Sequence, residues 1–199
     1  MNAAHGHESS DMRTRILGVA EGLFRHYGFD KTTVADIARE LGMSPANVYR
    51  FFASKLAIVE AIAERMFQER HRVNMAIFSS EAAASERLRR LLVENHRLSV
   101  ETWTADRKVH DIVEVAMTQN WESIEHHLGQ LADVIEELIR QGTASGEFDV
   151  PDARRAAVCV RQAYVSMIHP SLIVQCADDR ERADAEELAE FILRALRGR

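Results

Sequence analysis

An all-α fold is what this sequence predicts, and three observations carry that prediction. Apolar residues recur at spacings of three and four along nearly the whole chain, the period of a helix with one buried face. No run of β-branched residues alternates long enough to form a strand. Ser, Thr, Asp or Pro precedes several of the periodic stretches and Gly follows others, the punctuation expected of capped helices. About nine helices are expected.

The first helix runs from about Ser10 to Tyr27, with Ile16, Leu17, Ala20, Leu23, Phe24 and Tyr27 on one stripe. Gly28 follows, where a left-handed terminal residue fits. Thr33 caps a short second helix, Asp36 adds a favourable charge to its first turn, and Ile37, Ala38 and Leu41 form its apolar face before Gly42 closes it. Ser44 caps a third helix, with Pro45 in the first helical position, where its missing N–H costs nothing; this helix reaches about Phe52. Ser54 opens a fourth, long helix through Ile58, Ile62 and Met66 to about Ala76. Further helices are read at about Glu81 to Trp103, Asp106 to Asn120 and Trp121 to Gln141, then a loop at Gly142 to Asp149. Pro151 starts another, running through Tyr164 to about Cys176 and kinked at Pro170, and the last spans Arg180 to Leu196. Residues 1–9 read as a disordered tail, 10–55 as one small domain and 56–199 as a second, with no flexible linker between them.

Composition narrows the function. Of the 199 residues 46% are apolar and 28% charged, as in ordinary globular chains. No apolar run approaches the roughly 20 residues of a membrane span, and the polar start, with His5 and His7, is not a secretory signal. A cytoplasmic protein is expected, with Cys159 and Cys176 as buried thiols rather than a disulfide. The formal charge of -6 argues against a protein that coats nucleic acid through bulk basicity. The acidity is uneven: Lys and Arg outnumber Asp and Glu eight to seven between Asp11 and Arg65, against seventeen to twenty-three from residue 66 onward.

A short helix, a Gly-containing turn and a second short helix, braced by a helix in front, make a helix-turn-helix pattern. The stretch resembles the tetracycline-repressor (TetR) family in Thr32-Thr33-Val34-Ala35-Asp36-Ile37-Ala38, Gly42-Met43-Ser44 and Val48-Tyr49-Arg50-Phe51-Phe52-Ala53-Ser54-Lys55, with Leu23-Phe24 and Tyr27-Gly28-Phe29 ahead of them. The resemblance covers about residues 10–65. It implies an N-terminal three-helix DNA-binding module, a helical ligand-binding and dimerisation domain behind it, and a homodimer on a double-stranded operator with inverted half-sites.

Residues early in the second helix of such a motif face the major groove, so Pro45, Ala46, Asn47 and Arg50 are the expected base readers. Asn47 can pair with adenine and Arg50 with guanine in bidentate fashion. Thr33, Ser44, Tyr49 and Lys55 are the expected phosphate contacts, which position the protein without reading sequence. Internal packing is the alternative reading for Tyr49 and, more strongly, for Phe51, since a short helix must bury one side, and Phe52 reads as core. The family commonly carries Lys, Gly and Thr where this chain has Pro45, Ala46 and Asn47, so operator sequences do not transfer.

In the helical remainder, Leu188, Phe191, Ile192, Ala195 and Leu196 form one stripe, and Val158, Val165 and Leu172 lie on the preceding helix. They are candidates for a four-helix dimer interface, and periodicity supports an intramolecular core equally well. For a small-molecule effector, whose identity the sequence does not give, His110, Glu114, Met117 and Trp121 share a helical face, with Trp103, Tyr164, Met167 and His169 able to converge on it; an aromatic and Met stripe is also ordinary core. His110 and Glu114 with His126, His127 and His169 fall short of a metal site, since no third and fourth ligand has known proximity, and His126 and His127 read as facing water. No metal, cofactor or catalytic site is expected, because no phosphate loop, nucleophile elbow or paired metal motif occurs. The expected function is a repressor released from its operator by an effector.

Overall fold

The computed structural model describes residues 3–104 and 121–198. Among the described residues there are nine helices and no strand: α1 (Ala3–Tyr27), α2 (Val34–Glu40), α3 (Pro45–Tyr49), α4 (Lys55–Phe78), α5 (Ala84–Thr104), α6 (Trp121–Ala144), α7 (Ala153–Ile168), α8 (Pro170–Gln175) and α9 (Ala185–Leu196). The all-α prediction holds. Helix α1 begins at Ala3, inside the stretch expected to be a tail. Ser10 does not cap it; the Ser10 carbonyl accepts the Thr14 hydroxyl at 3.0 Å, a bond of a helix interior.

The chain divides into two compact units between Met66 and Phe67, inside α4 rather than at its start. The cause is the apolar face of α4, whose Ile58, Val59 and Ile62 are buried in the N-terminal core. That core also takes Ile16, Ala20 and Phe24 from α1, Val34, Ile37 and Ala38 from α2, Val48 from α3, and Phe52. Complete burial of side chains of this size contributes about 1.5–3 kcal/mol each, which is what fixes helices as short as α2 and α3. Two turns need glycine: Gly28 sits at φ 92° after α1 and Gly42 at φ 67° between α2 and α3, where a side chain would be strained.

The second unit packs Leu88, Leu91 and Leu92 of α5 with Ile135, Leu138 and Ile139 of α6, Val160 and Tyr164 of α7, and Ile192, Leu193 and Leu196 of α9. Glu147 caps α5 from the loop after α6, accepting the N–H groups of Ala84 and Ser85 at 3.0 Å each. Three boundaries differ from the sequence reading. Asp152, not Pro151, opens α7, its carboxylate accepting the Arg155 N–H at 2.9 Å. His169 breaks the expected kinked helix in two, extended at ψ 124°, with Pro170 starting α8, because a residue before proline is driven out of the helical region. Asp184 and Glu187 form a reciprocal cap that starts α9 at Ala185 rather than Arg180. Cys159 is exposed and Cys176 partly so, correcting the expectation of buried thiols. The helix expected at Asp106 to Asn120 lies outside the described residues.

Candidate nucleic-acid interface

The motif is built from its caps. Thr33 accepts the Asp36 N–H at 3.2 Å, and the Asp36 carboxylate accepts the Thr33 N–H at 2.9 Å and the Thr33 hydroxyl at 2.6 Å. Those bonds from Thr33, with Arg39 at 2.5 Å, lower the Asp36 pKa to about 2, so the cap stays ionised at any physiological pH. Ser44 caps α3 by accepting the Asn47 N–H at 3.4 Å.

Of the five residues of α3, Val48 alone is buried, with no exposed surface. Pro45, Ala46, Asn47 and Tyr49 are exposed, as is the terminal Arg50. One anchor therefore holds the helix down, and every residue expected to read bases stands on its outer surface. Tyr49 is 52% exposed, which resolves its two readings in favour of the surface; Phe51 is partly buried against the core and Phe52 is buried.

Two expected phosphate contacts are engaged elsewhere. The Thr33 hydroxyl and N–H both point to the Asp36 carboxylate, so its donors serve the cap. The Lys55 ammonium donates to the carbonyls of Phe29 at 2.9 Å and Thr32 at 3.1 Å and stands 3.9 Å above the centre of the Phe29 ring. It ties the α1–α2 connection to the start of α4. Ser44 and Tyr49 remain outward.

Arg13 was missed in the sequence. Its guanidinium donates to the Phe51 carbonyl at 2.6 Å and lies 4.2 Å over the Phe52 ring, tying α1 to the end of the motif. A separation of thirty-eight residues leaves no local signal for it. Thr32, buried, donates its hydroxyl to the Gly28 carbonyl at 2.8 Å, fixing the turn that leads into α2.

The candidate effector residues fare unequally. His110, Glu114 and Met117 lie outside the described residues, as does the Trp121 side chain. Trp103, Tyr164 and Met167 are buried in the second unit, and His169 is partly buried with its Nδ1 enclosed. Tyr164 donates its hydroxyl to the Leu92 carbonyl, which ties α7 to α5. His127, expected to face water, is buried and stacked on Phe67 with ring centres 4.4 Å apart; burial lowers its pKa to about 4, so the ring is neutral at pH 7. His126 is exposed. A cavity of about 270 Å³ opens between Met167, Ile173, Cys176, His96 and Arg182. No cluster of three metal-ligating side chains occurs among the described residues.

The candidate dimer stripe splits in two. Ile192 and Leu196 are buried inside the second unit and are corrected to core. Phe191, 64% exposed, Val165, 43% exposed, and Ala195 face outward, while Val158, Leu172 and Leu188 are partly buried. Helices α7 and α9 are in contact within the unit.

Comparison with known proteins covers both units. Residues 16–62 match the pattern described as bacterial regulatory proteins, tetR family, and residues 84–189 match the tetracyclin repressor-like C-terminal domain. The chain is 26% identical over 169 residues to the HTH-type transcriptional regulator TtgR of Pseudomonas putida, covering 79% of this chain and 78% of that one. Its fold is similar to a TetR/AcrR-family transcriptional regulator from Thermobifida fusca, with a TM-score of 0.70 and 25% identity over 94% of this chain and 97% of that one. It is also similar in fold to a regulator from Saccharomonospora viridis solved with choline, with a TM-score of 0.65 and 23% identity over 92% and 94% of the two chains.

Proposed function

The chain belongs to the tetR family of bacterial regulatory proteins and is a DNA-binding transcriptional regulator; from that premise we propose that it is a homodimeric repressor that a small-molecule effector releases from DNA. The observation that carries the DNA-reading part is the division of α3 into one buried anchor, Val48, and an outer surface of Pro45, Ala46, Asn47, Tyr49 and Arg50. Asn47 and Arg50 read base edges, Pro45 and Ala46 add apolar contact, and Ser44 and Tyr49 meet phosphates. No helix among the described residues is long and apolar enough to cross a membrane.

Sequencing genomic fragments retained by the purified protein tests this. Two inverted half-sites are expected, because one short helix reads too few bases to select a site alone. On such a site, Asn47→Ala should lose about 1–3 kcal/mol of discrimination at one base position per half-site and leave binding to random DNA unchanged. Equal loss on selected and random DNA would remove Asn47 from the readers.

The second copy docks on α7 and α9 through Phe191, Val165 and Ala195, with Val158, Leu172 and Leu188 at their edge. An exposed phenylalanine on α9 and an exposed valine on α7, two helices in contact, are the kind of apolar surface that marks association. Phe191→Asp should give a folded monomer in analytical ultracentrifugation, with its melting temperature no longer rising with protein concentration and with cooperative binding to paired half-sites lost. A dimer unchanged by this substitution places the interface elsewhere. The effector occupies the second unit, and linkage requires that it and DNA weaken each other by the same factor.

A further inference from the structure

Resting on the effector-responsive reading above, we propose that the second unit recognises a small organic anion, with the Arg70 guanidinium of α4 holding the ligand's carboxylate and the Trp103 and His127 side chains flanking it. Three observations meet here. Arg70 is partly buried yet forms no ion pair among the described residues; its guanidinium donates to the Ser99 hydroxyl at 2.6 Å and to the Asn95 carbonyl at 3.4 Å, both neutral. A cation in such a place is costly without a counter-charge.

The surroundings are polar in a specific way. Asn95 and Ser99 on α5 are buried, and Asn95 donates to the buried Asn74 of α4 at 2.8 Å, so the polar seam is held rigidly by neutral groups. Trp103 lies one turn beyond Ser99, and among the described residues neither its buried Nε1 nor the Nδ1 of His127 has a hydrogen-bond partner. Both residues are more than nine-tenths buried. His127 lies against Phe67, one turn before Arg70 on α4. Buried polar atoms of this kind are normally satisfied.

Charge supports the same reading. Burial lowers the Arg70 pKa to about 10, the reverse of what Glu86 and Glu186 do to Arg89, which they raise. Arg70 remains a cation at pH 7, with a planar fork suited to two carboxylate oxygens. An indole N–H adds a donor, as does the imidazole in its Nδ1–H tautomer, and the Phe67, His127 and Trp103 rings offer apolar and aromatic surface to the ligand body. A compact carboxylate on an apolar or aromatic body satisfies the set; a cation does not.

The test uses the intact full-length protein and three matched pairs of probes: benzoate with benzamide, phenylacetate with phenylacetamide, and octanoate with octanamide. Thermal shift and calorimetry are read for wild type, Arg70→Met and Arg70→Lys. At least one carboxylate is expected to raise the melting temperature of wild type while its amide does not. Arg70→Met should weaken that carboxylate about tenfold or more, and Arg70→Lys, which keeps the charge without the fork, should lie between. Should the Met variant not fold, the Lys variant carries the comparison. Amides binding as well as their acids, carboxylates binding equally to all folded variants, or no carboxylate of the three binding at all would each overturn the proposal.

Release from the selected DNA is measured in parallel. An amide that binds and releases DNA leaves effector control standing while the anion site falls. A carboxylate that binds through Arg70 without changing DNA affinity leaves the anion site standing while effector control falls.

Discussion

Val48→Asp is expected to abolish DNA binding although Val48 lies on the side of α3 turned away from any ligand. Val48 is the one buried residue of that helix and has no exposed surface. Its isopropyl group contributes about 1.5–3 kcal/mol of burial, and placing a carboxylate there adds a desolvation penalty of several kcal/mol. With domain stabilities of about 5–15 kcal/mol, the sum is enough to detach α3 or unfold the N-terminal unit. Hydrogen exchange should show residues 34–52 unprotected, while the amides of Leu88 to Leu92 and Leu131 to Ile139 keep their protection, since they belong to the other core. Val48→Ala, which leaves only a small cavity, should cost roughly 1–3 kcal/mol and weaken binding without abolishing it. A Val48→Asp variant that binds the selected DNA as wild type does and protects residues 34–52 would contradict the single-anchor arrangement.

Much of this module was legible in the sequence because its determinants are local. Thr33 to Asp36, Ser44 to Asn47, Gly28 and Gly42 are separated by at most four residues from the backbone groups they cap or turn, and such signals survive in one dimension. The exposure of Pro45, Ala46, Asn47 and Arg50 followed from position within the motif. The contacts that were not legible have a common form. Lys55 meets carbonyls twenty-three and twenty-six residues away, and Arg13 meets one thirty-eight away. A cation next to a DNA-reading helix looks the same in sequence whether it points at phosphate or at its own backbone.

The second unit shows the same limit on a larger scale. Helical period identified an apolar stripe on α9 but could not say which half faces inward; packing sends Ile192 and Leu196 to the core and Phe191 to the surface. Arg70 sits in Glu69-Arg70-His71-Arg72, a charge run that reads as a solvated face. Contacts with Asn95 and Ser99, twenty-five and twenty-nine residues on, set it apart from Arg72, whose partner is the exposed Glu69. His127 was misread for the converse reason: beside His126 it looked like surface, yet its neighbour in space is Phe67.

Lys55→Met separates a structural lysine from a DNA contact. The wild-type ammonium satisfies the Phe29 and Thr32 carbonyls and lies over the Phe29 ring; methionine keeps most of the stem's volume and loses all three interactions. Hydrogen bonds from a charged donor are worth about 1.5–3 kcal/mol and an exposed cation–π contact about 0.5–1 kcal/mol. Because the site is only partly buried, water replaces some of this, and a net loss of about 2 kcal/mol is expected, seen as a fall of roughly 8–16 °C in the melting of the N-terminal unit. Below that melting point the variant should bind selected DNA with an unchanged dependence on salt, since no phosphate contact has been removed. Arg50→Ala provides the contrast: melting should not move, and about 1–3 kcal/mol of discrimination at one base position per half-site is lost. A Lys55→Met variant with wild-type melting and a slope reduced by about one would mean that the ammonium leaves the loop for DNA, returning Lys55 to the phosphate contacts and making the α1–α2 connection a part that rearranges on binding.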